Sequence, residues 1–129
     1  MDLDELVTDW LPLPDAAERL GTDVGRVRRM LQEQRLVAVR RGERRILSVP
    51  AAFLTHADGG WQVVPSLQGT LVLLSDAGMS DEEAVRWLFT PDPSLESLGT
   101  GPERPRTPAE ALALGHKTEI RRRAQAEAL

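Results

Sequence analysis

The sequence predicts a mainly α fold with one small β-hairpin: two short helices joined by a tight turn, a hairpin directly after the second, and a helical C-terminal half. Three observations predict it. The stretches on either side of Gly21 carry apolar residues at helical spacing, with Ala16, Ala17 and Leu20 before it and Val24, Val27 and Leu31 after it. Leu36–Arg40 and Arg45–Val49 are strand-like and flank Arg41-Gly42-Glu43-Arg44. Two Ser/Thr-x-x-Glu signatures, Ser80–Glu83 and Thr107–Glu110, mark helix starts in the second half.

Charge is distributed unevenly along this frame. Eight of the 16 Lys and Arg lie between Arg26 and Arg45, against only Glu33 and Glu43. That window carries +6 while the chain as a whole carries −4. A net acidic chain argues weakly against a polyanionic partner, so the argument rests on where the charges lie. At 129 residues the chain suits one ordinary domain or two very small ones sharing a core. Its 41% hydrophobic content supports a packed interior, made aliphatic by only 4% aromatics and no Tyr. Absent Cys excludes disulfides and thiolate metal sites and suits a reducing compartment. The acidic N-terminus lacks the basic and apolar regions of a signal peptide, and Leu71–Leu74 is too short an apolar run to span a bilayer.

In chain order, residues 1–10 form an acidic tail or a short helix that packs Trp10 onto the body. Residues 11–64 form the first domain and residues 65–129 a helical second one. Leu11-Pro12-Leu13-Pro14 is a turn leading into a helix with Pro14 in its first turn and Gly21 at its C-cap. Thr22 is the expected N-cap of the next helix. At about 100° per residue, Val24, Val27 and Leu31 share one face with Met30 beside them. Gly25, Arg26, Arg29, Gln32 and Glu33 lie opposite, and Arg28 sits on the boundary. Two helices joined through a glycine turn are a helix-turn-helix. An outward face of arginines and a glutamine fits a major groove, because Arg pairs with guanine edges or phosphates and Gln with adenine.

The hairpin follows, with alternation placing Leu36, Ala38 and Arg40 on one side and Val37 and Val39 on the other. Its tip carries Arg40, Arg41, Arg44 and Arg45 around Gly42. A basic hairpin after a recognition helix is a wing, suited to the DNA backbone or minor groove. Further on, Ala51–Leu54 forms one turn of helix and Asp58-Gly59-Gly60 a turn before Trp61. Pro65–Ala77 is a helix burying Leu67, Leu71, Val72 and Leu74. Ser80 caps a helix running to about Phe89, and the prolines of Thr90-Pro91-Asp92-Pro93-Ser94 end it. Leu98–Arg106 is a loop. The final helix starts at Thr107-Pro108 and is bent or split at Gly115.

The segment LPDAAERLGTDVGRVRRMLQEQRLVAVRRGERRILSVP resembles the winged helix-turn-helix of MerR-like and excisionase-like DNA-binding proteins. VAVRR, RWLFTPDPSL and the terminal RRAQA further resemble a family of small actinobacterial winged helix-turn-helix proteins with a dedicated C-terminal domain. That resemblance covers all but about the first ten residues. It implies a regulatory or architectural DNA-binding role, with DNA contact carried over to Arg26, Arg28, Arg29, Arg40, Arg41, Arg44 and Arg45. Thr22 and Gln32 complete the candidate set. WLFTPDPSL followed by TPAEALALG also resembles the partner-binding region of some bacterial antitoxins, which implies a protein partner for the C-terminal domain.

Catalysis is not expected. His56 and His116 are the two histidines, and neither has metal-ligand spacing to a second ligand. No phosphate-binding glycine loop or GxSxG elbow is present, and helix capping accounts for Asp81-Glu82-Glu83. No cofactor or metal is expected. The expected partner is double-stranded DNA, with no membrane partner and a cytoplasmic, nucleoid-associated location. A homodimer is expected because one small recognition helix supplies little specificity. Thr8, Thr22, Thr55 and Thr107 are candidate sites for a Ser/Thr kinase, and a phosphate on Thr22 would repel DNA. The alternative function is a protein-interaction module that does not bind DNA.

Overall fold

The computed structural model describes residues Met1 to Leu129. Asp2 caps a single helical turn, α1 (Leu3–Leu6), its carboxylate accepting from the Asp4 amide at 2.7 Å. The chain then extends as β1 (Trp10–Pro12), where the sequence predicted only a turn. Pro12 ends an edge strand, so its missing N–H costs the sheet little. Helix α2 (Leu13–Leu20) closes at Gly21, whose φ of +70° is readily adopted without a Cβ. The Gly21 amide donates to Glu18 O at 3.1 Å and the Thr22 amide to Ala17 O at 2.9 Å, which satisfies the last carbonyls of α2.

Helix α3 (Val24–Gln32) is capped by Asp23, not by Thr22 as expected. Asp23 Oδ1 accepts from the Arg26 amide at 2.8 Å. Both residue types cap well, but the carboxylate also interacts favourably with the N-terminal end of the helix dipole. The chain leaves α3 through Gln34, held at φ +58°. Leu36, Val37, Ala38 and Val39 are all buried, so the predicted alternation is absent. The first three of them cross the interior as irregular chain.

The strands of the first hairpin are β2 (Val39–Arg41) and β3 (Ile46–Pro50), joined by the turn Gly42–Arg45. Arg41, expected in the loop, pairs with Ile46, while β1 pairs with the other edge of β3. The result is a three-stranded antiparallel sheet in the order β1-β3-β2. A single 3-10 turn, Ala51–Phe53, leads to a second hairpin that the sequence did not announce, β4 (Leu54–Ala57) and β5 (Gly60–Val63). It packs against α2.

The C-terminal half is helical as expected: α4 (Leu67–Asp76), α5 (Asp81–Phe89), α6 (Pro108–Ala113) and α7 (Lys117–Ala126), with Gly115 in the break between the last two. Val72 is only half-buried, unlike Leu67, Leu71 and Leu74. At α5 the Glu83 amide donates to Ser80 Oγ and the Ser80 amide to Glu83 Oε1, completing the capping box. At α6 the box is displaced by one residue. Thr107 Oγ1 accepts from the Glu110 amide, but the Glu110 carboxylate reaches back to the Arg106 amide at 2.7 Å. The expected loop contains two 3-10 segments, Pro93–Leu98 and Gly101–Glu103. No helix is long and apolar enough to cross a membrane.

One apolar core of 29 buried residues runs from Leu3 to Ala124. Phe53 from the first half and Phe89 from the second meet in it, ring centroids 5.2 Å apart. The C-terminal helices therefore complete the interior beneath the helix-turn-helix and its hairpin.

Candidate nucleic-acid interface

Helix α3 divides as its sequence predicts. Val27 is fully buried, and Val24, Met30 and Leu31 are half-buried against the body. Gly25, Arg26, Arg28, Arg29, Gln32 and Glu33 are exposed. The side chains of Arg26, Arg28, Arg29 and Gln32 make no hydrogen bond or ion pair within the protein, which leaves their donors for solvent or a ligand. Asp23 spends its carboxylate on the Arg26 amide and so adds an acceptor to the helix start without engaging a guanidinium. Thr22, displaced from the cap, is exposed just ahead of the helix.

The four arginines of the hairpin do not behave alike. Arg40 is exposed, and its Nη1 donates to the Arg45 carbonyl at 3.0 Å, bracing the tip. Gly42 at φ +76° and Arg45 at φ +54° shape the turn, and Arg44 and Arg45 project into solvent. Arg41 is withdrawn. Its Nε donates to Asp4 Oδ1 at 3.2 Å, its Nη2 lies 2.5 Å from the same oxygen, and its guanidinium sits over the Trp10 ring at 5.1 Å. Only 20% of its side chain remains exposed. Asp4 and Trp10 were not among the candidate residues. The acidic composition of residues 1–10 is the one signal for Asp4, and Trp10 was expected only to pack onto the body, because nothing local in the sequence couples either residue to the hairpin.

The smaller basic cluster, Arg121–Arg123, is largely spent on structure. Arg122 pairs with Glu119. Arg123 bridges Glu119 Oε1 and Asp92 Oδ2, each at 3.0 Å, and donates to Ser94 Oγ. Hydrogen bonds from Arg122 and then Arg123 hold the Glu119 carboxyl at about 2, and the same pairing raises Arg122. Asp92 is lowered mainly by its hydrogen bonds from Ser94, with Arg123 adding to the effect. This clasp ties α7 to the segment after α5. Elsewhere His56 stacks on Trp61 with ring centroids 3.8 Å apart, and the Arg19 guanidinium lies over the same Trp61 ring, 4.8 Å from its centroid. No group of three or more His, Cys, Asp or Glu is placed to hold a metal ion.

Two helices meeting at a glycine turn, an exposed basic face on the second, and an arginine-tipped hairpin closed into a sheet by β1 together define a winged helix-turn-helix protein. The chain belongs to the Rv2175c family. Residues 2–54 match the family described as DNA-binding protein Rv2175c, wHTH domain, and residues 64–128 match the Rv2175c C-terminal domain of unknown function. The chain is 43% identical over 131 residues to the DNA-binding protein Rv2175c of Mycobacterium tuberculosis (strain ATCC 25618 / H37Rv), covering 99% of this chain and 84% of that protein. Its fold is similar to the NMR structure of Rv2175c, with a TM-score of 0.78 at 42% identity over 94% of this chain and 82% of that one. The resemblance to small actinobacterial winged helix-turn-helix proteins is thereby borne out.

Proposed function

We propose that this protein binds double-stranded DNA, presenting α3 to the major groove and the tip of the β2–β3 hairpin to the backbone or adjacent minor groove, as a transcriptional regulator or an architectural factor. The observation that carries this reading is the set of unpaired, exposed side chains on α3: Arg26, Arg28, Arg29 and Gln32. Arg40, Arg44 and Arg45 extend the basic surface at the hairpin. The relative from Mycobacterium tuberculosis is named as a DNA-binding protein, which supports the same reading.

On this reading the helix reads bases and the wing holds phosphates. Residues 11–64 are the DNA-binding unit and residues 65–129 a helical unit that completes the core beneath it. A homodimer would double the number of base pairs read and supply specificity that one short helix lacks. Thr22, exposed at the start of α3, is where a kinase would switch binding off. The test is selection of bound fragments from genomic DNA by the purified full chain. A reproducible enriched motif supports a regulator, and enrichment without a motif supports an architectural factor. No enrichment over bare resin would reject DNA in favour of a protein-interaction role, for which a pull-down with the full chain is the companion measurement.

A further inference from the structure

Beside α3 runs an open groove of about 520 Å³. One wall follows the helix, with Thr22 and Arg26 one helical turn apart and Arg35 beyond its end. The other wall is the β5–α4 junction, where Gln62, Ser66 and Gln68 contribute amides and a hydroxyl between the apolar Val63, Val64 and Pro65. No Asp or Glu lines it, in a chain that holds 20 of them. Gln68 Nε2 donates to the Glu33 carbonyl at 3.1 Å, which fixes this second wall to the end of α3. Arg35 is half-exposed, and its nearest carboxylate, Glu33 Oε1, lies 3.8 Å away in a loose pair that a better acceptor would displace.

From this chemistry we infer that the groove is a second backbone-binding shelf, taking phosphates of a DNA strand that flanks the major groove entered by α3, with Arg35 as its principal contact. The inference rests on the DNA-binding reading above and extends it to residues that neither the helix face nor the wing includes. Two guanidiniums with neutral donors and no carboxylate suit a phosphodiester, which offers acceptors only and carries no base identity. Arg26 serves both surfaces, because its position on the helix borders the outward face and the groove. A free phosphoanion has the same donor needs. The groove is open along its length rather than closed around a small ligand, and it adjoins the helix that meets DNA, so the strand is the favoured occupant.

The test measures affinity of the full chain for a mixed-sequence duplex by fluorescence anisotropy across a salt series. Arg35→Ala is expected to weaken binding roughly tenfold near 0.1 M salt and to lower the log–log salt slope by about 0.9, the signature of one lost phosphate. Arg35→Lys should retain the slope, since the slope counts phosphates neutralised by either Lys or Arg. Against a second duplex of unrelated sequence, each variant should change affinity by the same factor. If Arg35→Ala binds like wild type while Arg40→Ala/Arg44→Ala weakens binding, the shelf is overturned and the DNA reading stands. If wild type shows no salt-dependent binding, both are overturned. In a parallel calorimetric arm, inorganic pyrophosphate binding that is lost in Arg35→Ala, with DNA affinity untouched, would assign the groove to a free anion and overturn the strand.

Discussion

Arg41 and Asp4 are paired across 37 positions of sequence, with Arg41 Nε donating to Asp4 Oδ1 at 3.2 Å. The pair removes one of four hairpin arginines from the basic surface and ties the N-terminal turn to the wing sheet. Asp4→Asn should therefore strengthen DNA binding a few-fold and steepen its salt slope by up to about 0.9, as Arg41 becomes available to phosphate. The cost to folding should stay below about 1 kcal/mol, as for other partly exposed pairs. Unchanged or weaker binding in an anisotropy titration would show that Arg41 serves structure alone.

Thr22→Asp separates helix stability from DNA affinity. A second carboxylate at the start of α3 is neutral or mildly favourable for the helix dipole. The same charge beside Arg26 would repel phosphate. Thermal unfolding should be unchanged while affinity falls; affinity equal to wild type would defeat the proposed switch at this threonine.

The shared core predicts one unfolding transition. Leu74 and Leu88 are fully buried on α4 and α5. Truncating either to Ala should cost about 2–5 kcal/mol. Because Phe53 and Phe89 join the halves, the loss should appear together in circular dichroism and in DNA binding as urea is raised. Two separated transitions would mean that the halves fold independently.

The Arg123 clasp predicts acid sensitivity. Glu119 and Asp92 are both more acidic in the folded chain than their ordinary values of 4.5 and 3.8. Arg122 is the first cause for Glu119 and Ser94 for Asp92, with Arg123 adding to both, so this contribution is fully present above that range and is lost as pH falls toward 2. The wild-type urea midpoint should therefore drop across this window. Arg123→Gln should start lower at pH 7 and drop less, and parallel pH profiles for the two proteins would contradict the assignment.

Much of this architecture was legible because it is local. Gly21, the Ser80–Glu83 box and the apolar faces of α3 and α4 depend on neighbours within one or two helical turns. What was missed depends on distant partners. β1 is a strand only because β3 lies beside it, and its proline disguised it as a turn. Leu36–Ala38 looked alternating, yet the chain crosses the interior there, where both sides face apolar neighbours. Thr22 and Asp23 are adjacent residues that can both cap, and the carboxylate of the second also favours the helix dipole. For the candidate interface, the helix face was readable from periodicity, whereas Arg41's withdrawal and Arg35's place in a groove required tertiary structure.

The division between base reading and phosphate holding is tested most directly by one matched titration. Wild type, Arg40→Ala/Arg44→Ala and Arg29→Ala/Gln32→Ala would be measured against a selected duplex and a scrambled one across a salt series. The hairpin variant should weaken both duplexes alike and flatten the salt slope by about 1.8, for two phosphates lost. The helix variant should lose about 1–3 kcal/mol of discrimination per base contact removed. A hairpin variant that alters sequence preference, or a helix variant that leaves it intact, would contradict the account.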